Sequence, residues 1–263
     1  MPIDDPKALK KLDAVIRHTR QNTQMTERLL AHQVWLALGD DKIVTFPHRG
    51  QTIRFHLPDG WIDAVQRVIM LSRTFYEASL LERIRQRVAP GSTFVDAGAN
   101  IGNHTVYFAT LCRAAHVHSF EPMPHMQTIL ERNAALNGPD QITVHPFGLG
   151  AEEATADVEI FNPANLGSTT LRPSMDQDVD GAIPIRPLDA FDLQGVNFIK
   201  IDVEGMQDAV LHGAWDTIAR CKPQLVIEAF QRGDEREKTE AVLADMGYHV
   251  DEVIGHNVWA VPD

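Results

Sequence analysis

The apolar positions change period several times along the chain, and each change marks an element. Leu9, Leu12 and Ile16, then Met25 and Leu29, recur at three- and four-residue intervals and predict helix from Asp5 to about Leu38. Lys42 to Leu57 alternates apolar and polar residues around His48, Arg49 and Gly50, the pattern of a hairpin turning at Gly50. Helical spacing returns from Ile62 to Met70 and from Tyr76 to Val88, where Pro90 and Gly91 stop it. Strands are then predicted at Thr93 to Asp96, Val117 to Glu121, Ile142 to Phe147, Asn197 to Val203 and Gln224 to Glu228. Helices fill the gaps, except between Gly150 and Asp192. There VEIFN, STTLR and IPIRPLDAF read as short strands and turns around an acidic loop at Asp176 to Asp180. A helix at about Glu235 to Met246 precedes two further strands, His249 to Ile254 and Asn257 to Val261, suited to a terminal hairpin. Strand and helix in alternation predict an α/β fold whose mostly parallel sheet carries helices on both faces. Residues 1–75 are expected to be an accessory segment of helices plus a hairpin. Residues 76–263 then form the main domain, with a β-insert at about 151–192 after the third strand.

The run FVDAGANIGNHTVYFA, Phe94 to Ala109, carries the first candidate chemistry. Phe94 and Val95 end a buried strand, Asp96 sits at its tip, and Gly98 and Gly102 let the backbone approach a ligand before a helix starts near Asn103. Such a turn offers free amide N–H groups to an anion. A fixed charge on Asp96 would repel a pyrophosphate and attract a ligand bearing positive charge, which points to the sulfonium and ammonium of S-adenosylmethionine. Glu121, in VHSFEP, lies about twenty residues beyond the first glycine, where a carboxylate accepts hydrogen bonds from both hydroxyls of a ribose. That spacing also suits a nicotinamide dinucleotide. Asp96 before the glycines, and a GxxxG spacing in place of GxGxxG, favour the methyl donor. The candidate donor-binding set is Asp96, Gly98, Ala99, Asn100, Gly102, Asn103, Glu121 and Gly148. A purely structural reading has the glycines serving close packing and Glu121 capping the next helix.

FIKIDVEG supplies a second constellation. Strand alternation places Lys200, Asp202 and Glu204 on one face and Ile199, Ile201 and Val203 on the other. Burying one unpaired ion costs on the order of several kcal/mol, so these charges must pair, meet a ligand or lie past the sheet edge. Ligands of open α/β sheets occupy the crevice at the carboxyl ends of the strands, which directs Asp202 and Glu204 toward the site. His104, His125, His145, His212, Tyr76, Glu77 and Glu228 are weaker candidates, each with an ordinary packing, capping or surface role as its alternative.

Composition narrows the class. With 263 residues, 44% of them hydrophobic, the chain can bury a large core, and a net charge of −12 argues against nonspecific nucleic-acid binding. The first residues lack a signal-peptide core and no stretch reaches the roughly 18 apolar residues of a membrane span, so a cytoplasmic protein is expected. Cys112 and Cys221 lack metal-type spacing and are expected to be free thiols. The amphipathic N-terminal segment suits pairing of two copies across a twofold axis.

Taken together, FVDAGANIGNHT, VHSFEP, LDAF followed by FIKIDVEG, and PQLVIE resemble the FkbM-type methyltransferases, over Tyr76 to about Phe230. The resemblance implies a class I, Rossmann-like methyltransferase fold with a seven-stranded sheet and an antiparallel last strand. It also implies S-adenosylmethionine as methyl donor, and O-methylation of a hydroxyl on a sugar, glycolipid or secondary metabolite. On it, Asp96, Gly98, Asn100 and Gly102 fall on the donor-binding turn, Glu121 on the ribose-binding acid, and Lys200, Asp202, Glu204 and Gly205 on the KIDxEG signature. Asp202 is then the expected base, alone or through a divalent metal held by paired carboxylates, with Glu204 orienting it and Lys200 tuning its charge. An unassisted carboxylate is a poor base for an alcohol, so a raised pKa, a metal or a histidine is required. The rival readings are an NAD-dependent oxidoreductase and a binding protein that kept the fold without catalysis.

Overall fold

The computed structural model describes residues 22–23, 25–138, 140–160, 170–174, 183–230 and 234–263. The acidic loop expected at Asp176 to Asp180, and the part of the predicted N-terminal helix before residue 22, lie outside these residues. Helix α1 (residues 25–37) packs Ala31, Val34 and Trp35 against the core and leaves Met25, Leu29, Leu30 and Leu36 exposed. Strands β1 (Ile43–His48) and β2 (Gln51–His56) form an antiparallel hairpin turning at Arg49 and Gly50, both with positive φ. Its inward residues, Val44, Phe46, Ile53 and Phe55, share one apolar core with Phe75, Phe94 and Phe108. Helix α2 (Ala64–Ser72) is capped by Asp63, whose side chain accepts from the Gln66 N–H at 2.8 Å. Helix α3 (Ala78–Arg87) follows Glu77, itself in the left-handed region.

Beyond α3 the alternation yields the expected sheet. Its strands are β3 (Thr93–Ala97), β4 (His116–Phe120), β5 (Ile142–His145), β10 (Val196–Ile201), β11 (Gln224–Glu228), β12 (Tyr248–Ile254) and β13 (Asn257–Pro262). They lie in the order β12-β13-β11-β10-β3-β4-β5; β3, β4, β5, β10 and β11 run parallel, and β13 is antiparallel to both of its neighbours. The central strands read as near-continuous apolar runs because both faces are covered. The covering helices are α4 (Asn103–Thr110), α5 (Pro124–Asn137), α6 (Gln207–Gly213), α7 (Trp215–Cys221) and α8 (Glu235–Asp245). A second sheet in the order β6-β9-β7-β8 follows β5, built from Gly148–Leu149, Ala154–Ile160, Thr170–Ser174 and Ile183–Arg186 as β6 to β9 in chain order. Where the sequence predicts a strand as far as Val203, β10 stops at Ile201. Glu204 and Gly205 have φ of 40° and 89° and turn the chain there.

Strand order reverses between β3 and β10, so a crevice opens at their carboxyl ends. Gly98 and Asp202 meet at that point: a Cβ added to Gly98 would stand 1.9 Å from the Asp202 carbonyl oxygen. Only a residue without a side chain permits this approach of the two loops.

Candidate donor and acceptor site

Two adjoining cavities occupy the crevice. One, of about 630 Å³, lies over β3 and β4 and reaches the second sheet; the other, of about 720 Å³, opens toward Tyr76 and β11. Gly98, Asn100, Asp202 and Glu204 border both.

The first cavity has a polar corner and an apolar slot. Glu121 is 5% exposed at the end of β4; its Oε2 accepts from the Asn100 N–H at 2.8 Å and its Oε1 from the Met123 N–H at 2.9 Å. Burial outweighs these bonds and pushes the carboxyl up to about 7. A carboxylate has about four acceptor sites, so two backbone bonds leave capacity for a vicinal diol. Phe120, Met123, Met126, Phe147, Ile185 and Met206 form the apolar part. Of the predicted donor-binding residues, Gly98, Asn100, Glu121 and Gly148 line this cavity, while Ala99 and Asn103 line the second. The Asn103 amide is committed to Tyr76: its Oδ1 accepts from the Tyr76 N–H at 2.9 Å and its Nδ2 donates to the Tyr76 carbonyl at 3.0 Å. Asn100 Oδ1, in contrast, is buried without a hydrogen-bond partner among the described residues, an acceptor suited to an N–H or O–H of the donor.

Asp96 and Gly102 line neither cavity. Asp96 is 1% exposed, and its Oδ2 accepts from Thr105 Oγ1 at 2.6 Å; Thr105 Oγ1 in turn contacts Ser119 Oγ at 2.8 Å. Burial pushes its carboxyl above the usual range despite His104, Thr105 and Lys200. In place of the exposed charge expected at the strand tip, Asp96 ties α4 to β3 and β4 beneath the turn. Gly102 accommodates α5, with Leu130 Cγ 3.3 Å from the place a Cβ would take.

The charged strand resolves into a triad of Lys200, Asp202 and Glu228. Lys200 is 0% exposed and donates from Nζ to Asp202 Oδ2 at 3.0 Å. Glu228, at the tip of β11, is pushed up to about 9 by burial and by the Asp202 charge. Burial alone would raise Asp202, but Lys200 and Glu228 hold it below the usual carboxylate range, and Asp202 and Glu77 in turn raise Lys200 against its own burial. A carboxyl so depressed is a poor base for an alcohol. Lys200 lines neither cavity and is linked to them through its bond to Asp202. Glu204 borders both cavities and is raised by burial and by the charges of Asp202 and Glu235. Val203 shares the first cavity's wall with Asp202 and Glu204, because the turn after Ile201 ends the strict alternation expected of a strand.

The second cavity adds Tyr76, His104, Glu228 and Phe230 to these walls. His125, by contrast, bonds Asp59, and His145 stacks on Phe120 at 4.4 Å. His212 stacks on Trp215. Sequence reasoning did not single out Phe147, Met123, Met206 or Phe230. Phe147 and Met123 carried a usable signal, since each follows a parallel strand at its carboxyl end. Among the described residues, no group of three or more His, Cys, Asp or Glu side chains is arranged to hold a metal, and no helix is long and apolar enough to cross a membrane.

Comparison with known proteins agrees with this geometry. The model of the methyltransferase FkbM domain matches residues 96–250. Methyltransferase 1 of Beauveria bassiana (strain ARSEF 2860) is 28% identical over 199 residues, covering 65% of this chain and 77% of the relative. Methyltransferase sdnD of Sordaria araneosa is 27% identical over 196 residues, covering 61% and 75%. The solved structure of methyltransferase FkbM from Methylobacillus flagellatus KT superposes with a TM-score of 0.51 at 22% identity. That superposition covers 75% of this chain and 52% of the other, so the chain spans about half the length of that structure. The fold is the Rossmann-like one of methyltransferases, and the chain belongs to the FkbM methyltransferase family.

Proposed function

We propose that the protein transfers a methyl group from S-adenosylmethionine to a hydroxyl of a sugar, glycolipid or secondary-metabolite acceptor. The observation that carries this is the placement of Glu121, Asn100 and Gly98 around one cavity that joins a second, polar cavity at Asp202 and Glu204. In this reading Glu121 takes the ribose diol, the Phe147 and Met123 slot takes the adenine, and the loop from Gly98 to Asn100 carries the methionyl part across into the second cavity. The donor supplies an electrophilic methyl on a sulfonium. Aligning an acceptor oxygen with that carbon accounts for much of the acceleration, since orientation contributes on the order of 7–11 kcal/mol in well-positioned reactions. Tyr76, Glu204, Glu228 and His104 give the second cavity a wall of donors and acceptors suited to a polyhydroxylated acceptor. Asp202, held ionised by Lys200 and Glu228, accepts from a donor or acceptor group and fixes its direction. No metal enters this scheme.

The test is incubation of the protein with methyl-labelled S-adenosylmethionine and an extract of the source cells, followed by identification of the labelled product. Label in a methyl ether supports the reading. Label on nitrogen moves the acceptor atom, and preferential binding of NAD in a parallel titration overturns the reading in favour of an oxidoreductase.

A further inference from the structure

The proposed reaction releases a proton from the acceptor hydroxyl, and Asp202, paired with Lys200 and held below the usual carboxylate range, is a poor acceptor for it. A histidine in the second cavity is placed to receive it. His104, in the first turn of α4, lines that cavity while only 8% exposed. Its Nε2 lies 3.2 Å from Glu77 Oε2, and Glu77 Oε1 accepts from Asn257 Nδ2 at 3.3 Å. Among the described residues Nε2 makes no formed hydrogen bond, so Glu77 holds the ring through charge at ion-pair distance, and no hydrogen bond engages Nδ1. Glu77, Asn257 and His104 come from the start of α3, the start of β13 and the start of α4, so three elements converge to aim one ring. A base oriented by a carboxylate that is itself oriented is the arrangement of an activated proton acceptor.

We propose that His104 takes the proton of the acceptor hydroxyl, and that Glu77 is its positioning residue, anchored by Asn257. This rests on the methyl-transfer reading above. The O–H bond breaks and its proton passes to Nδ1. The oxygen's electron pair forms the new bond to the methyl carbon, and the carbon–sulfur bond breaks with its pair staying on sulfur. The products are a methyl ether, a neutral thioether and an imidazolium beside the Glu77 carboxylate. The charged and titratable groups that surround the ring are Tyr76 and Glu77 ahead of α3, Asp96 on β3, Lys200, Asp202 and Glu204 around the end of β10, and Glu228 on β11. Burial works against a charge on Glu77, yet the contact with His104 and the charge of Lys200 hold its carboxyl below the usual range. The orienting group is therefore ionised whenever the ring is called on to accept a proton.

The experiment uses the full chain, tritiated-methyl S-adenosylmethionine, and a combined small-molecule and glycolipid extract of the source cells. His104→Ala and His104→Asn should each lower methyl transfer by roughly 10²- to 10⁴-fold, the range of a lost general base. Calorimetry with S-adenosylhomocysteine should show donor affinity within about twofold of wild type, which certifies a folded site in whichever variant is used. The acid limb of the wild-type rate profile should vanish in both variants. Glu77→Gln should lower kcat while KM and S-adenosylhomocysteine affinity stay near wild type, because the ring loses the group that orients it. Wild-type rates in the His104 variants, or a uniform loss at every pH with the acid limb in place, would overturn the role of His104 alone. A wild-type protein that binds the donor and labels nothing in the extract overturns the methyl-transfer reading itself, and this inference with it.

Discussion

Replacing Gly98 with alanine puts the junction of the two cavities to the test. Gly98 has φ of +81°, and an L side chain in the left-handed region costs about 1–2 kcal/mol. The added Cβ would also stand 1.9 Å from the Asp202 carbonyl oxygen and 2.9 Å from its carbonyl carbon, both backbone atoms that no rotamer change can move. Relief needs a loop displacement, and forced overpacking of this kind costs about 1–3 kcal/mol. The two terms together give about 2–5 kcal/mol, or a fall in Tm of roughly 5–15 °C for a chain of this size. Gly102→Ala is the control. It has nearly the same φ, +84°, but meets Leu130 Cγ at 3.3 Å, a side chain that can shift, so about 1–2 kcal/mol is expected. Because Gly98 borders both cavities and Gly102 borders neither, Gly98→Ala should also weaken S-adenosylhomocysteine binding by at least about tenfold, or 1.4 kcal/mol, with a smaller effect for Gly102→Ala. Melting scans and calorimetric titration of both variants give the answer. A Gly98→Ala protein that melts within about 2 °C of wild type and binds with unchanged affinity would refute the close approach of the loops.

Four further outcomes concern the buried titrating groups. Glu121 is pushed up to about 7, so the folded state keeps this proton longer than the unfolded chain and loses stability as pH rises from about 4.5 to 7; Glu121→Gln should remove that slope in denaturant titrations. Donor affinity should run the other way, rising from pH 6 to 8 as the ribose acceptor ionises, and Glu121→Gln should bind more weakly with a flat profile by calorimetry. Asp202→Asn strands the Lys200 ammonium and should cost about 3–5 kcal/mol in urea unfolding, while Lys200→Met combined with Asp202→Asn recovers part of the loss. Glu228→Gln keeps a donor toward Asp202 and should be at least as stable as wild type at pH 7, with the difference growing as pH rises from about 4.5 to 9.

Much of this was legible in the chain because it is local. The strand–turn–helix at Asp96 to Asn103 and the acid closing β4 announce themselves by period and spacing, and the structure brings Gly98, Asn100 and Glu121 to one cavity. The terminal hairpin was equally readable from its two alternating runs around Gly255. What escaped the sequence is what depends on pairing across the sheet. Asp96 reads as a free charge at a strand tip, yet Thr105, nine residues on, folds back over it and buries it. Asp202 reads as a base, but Glu228 arrives from the neighbouring strand and Lys200 from beneath, and together they lower it. Asn257 reaches Glu77 only because β13 inserts antiparallel beside β11, placing Asn257 opposite Glu228. The meetings of Asp202 with Glu228 and of Glu77 with Asn257 are encoded in no single segment. The end of β10 escaped for another reason: Val203 continues an alternating pattern, and only the positive φ of Glu204 and Gly205 shows that the strand has already turned.

In the proposed reaction the cavity bounded by Gly98, Asn100 and Glu121 holds the methyl donor. Calorimetric titration of the full chain with S-adenosylhomocysteine, beside a titration with NAD, tests it most directly. The account predicts one site per chain for S-adenosylhomocysteine, lost or strongly weakened in Glu121→Ala, and no saturable heat with NAD. Absence of S-adenosylhomocysteine binding, or binding that Glu121→Ala leaves untouched, would contradict it.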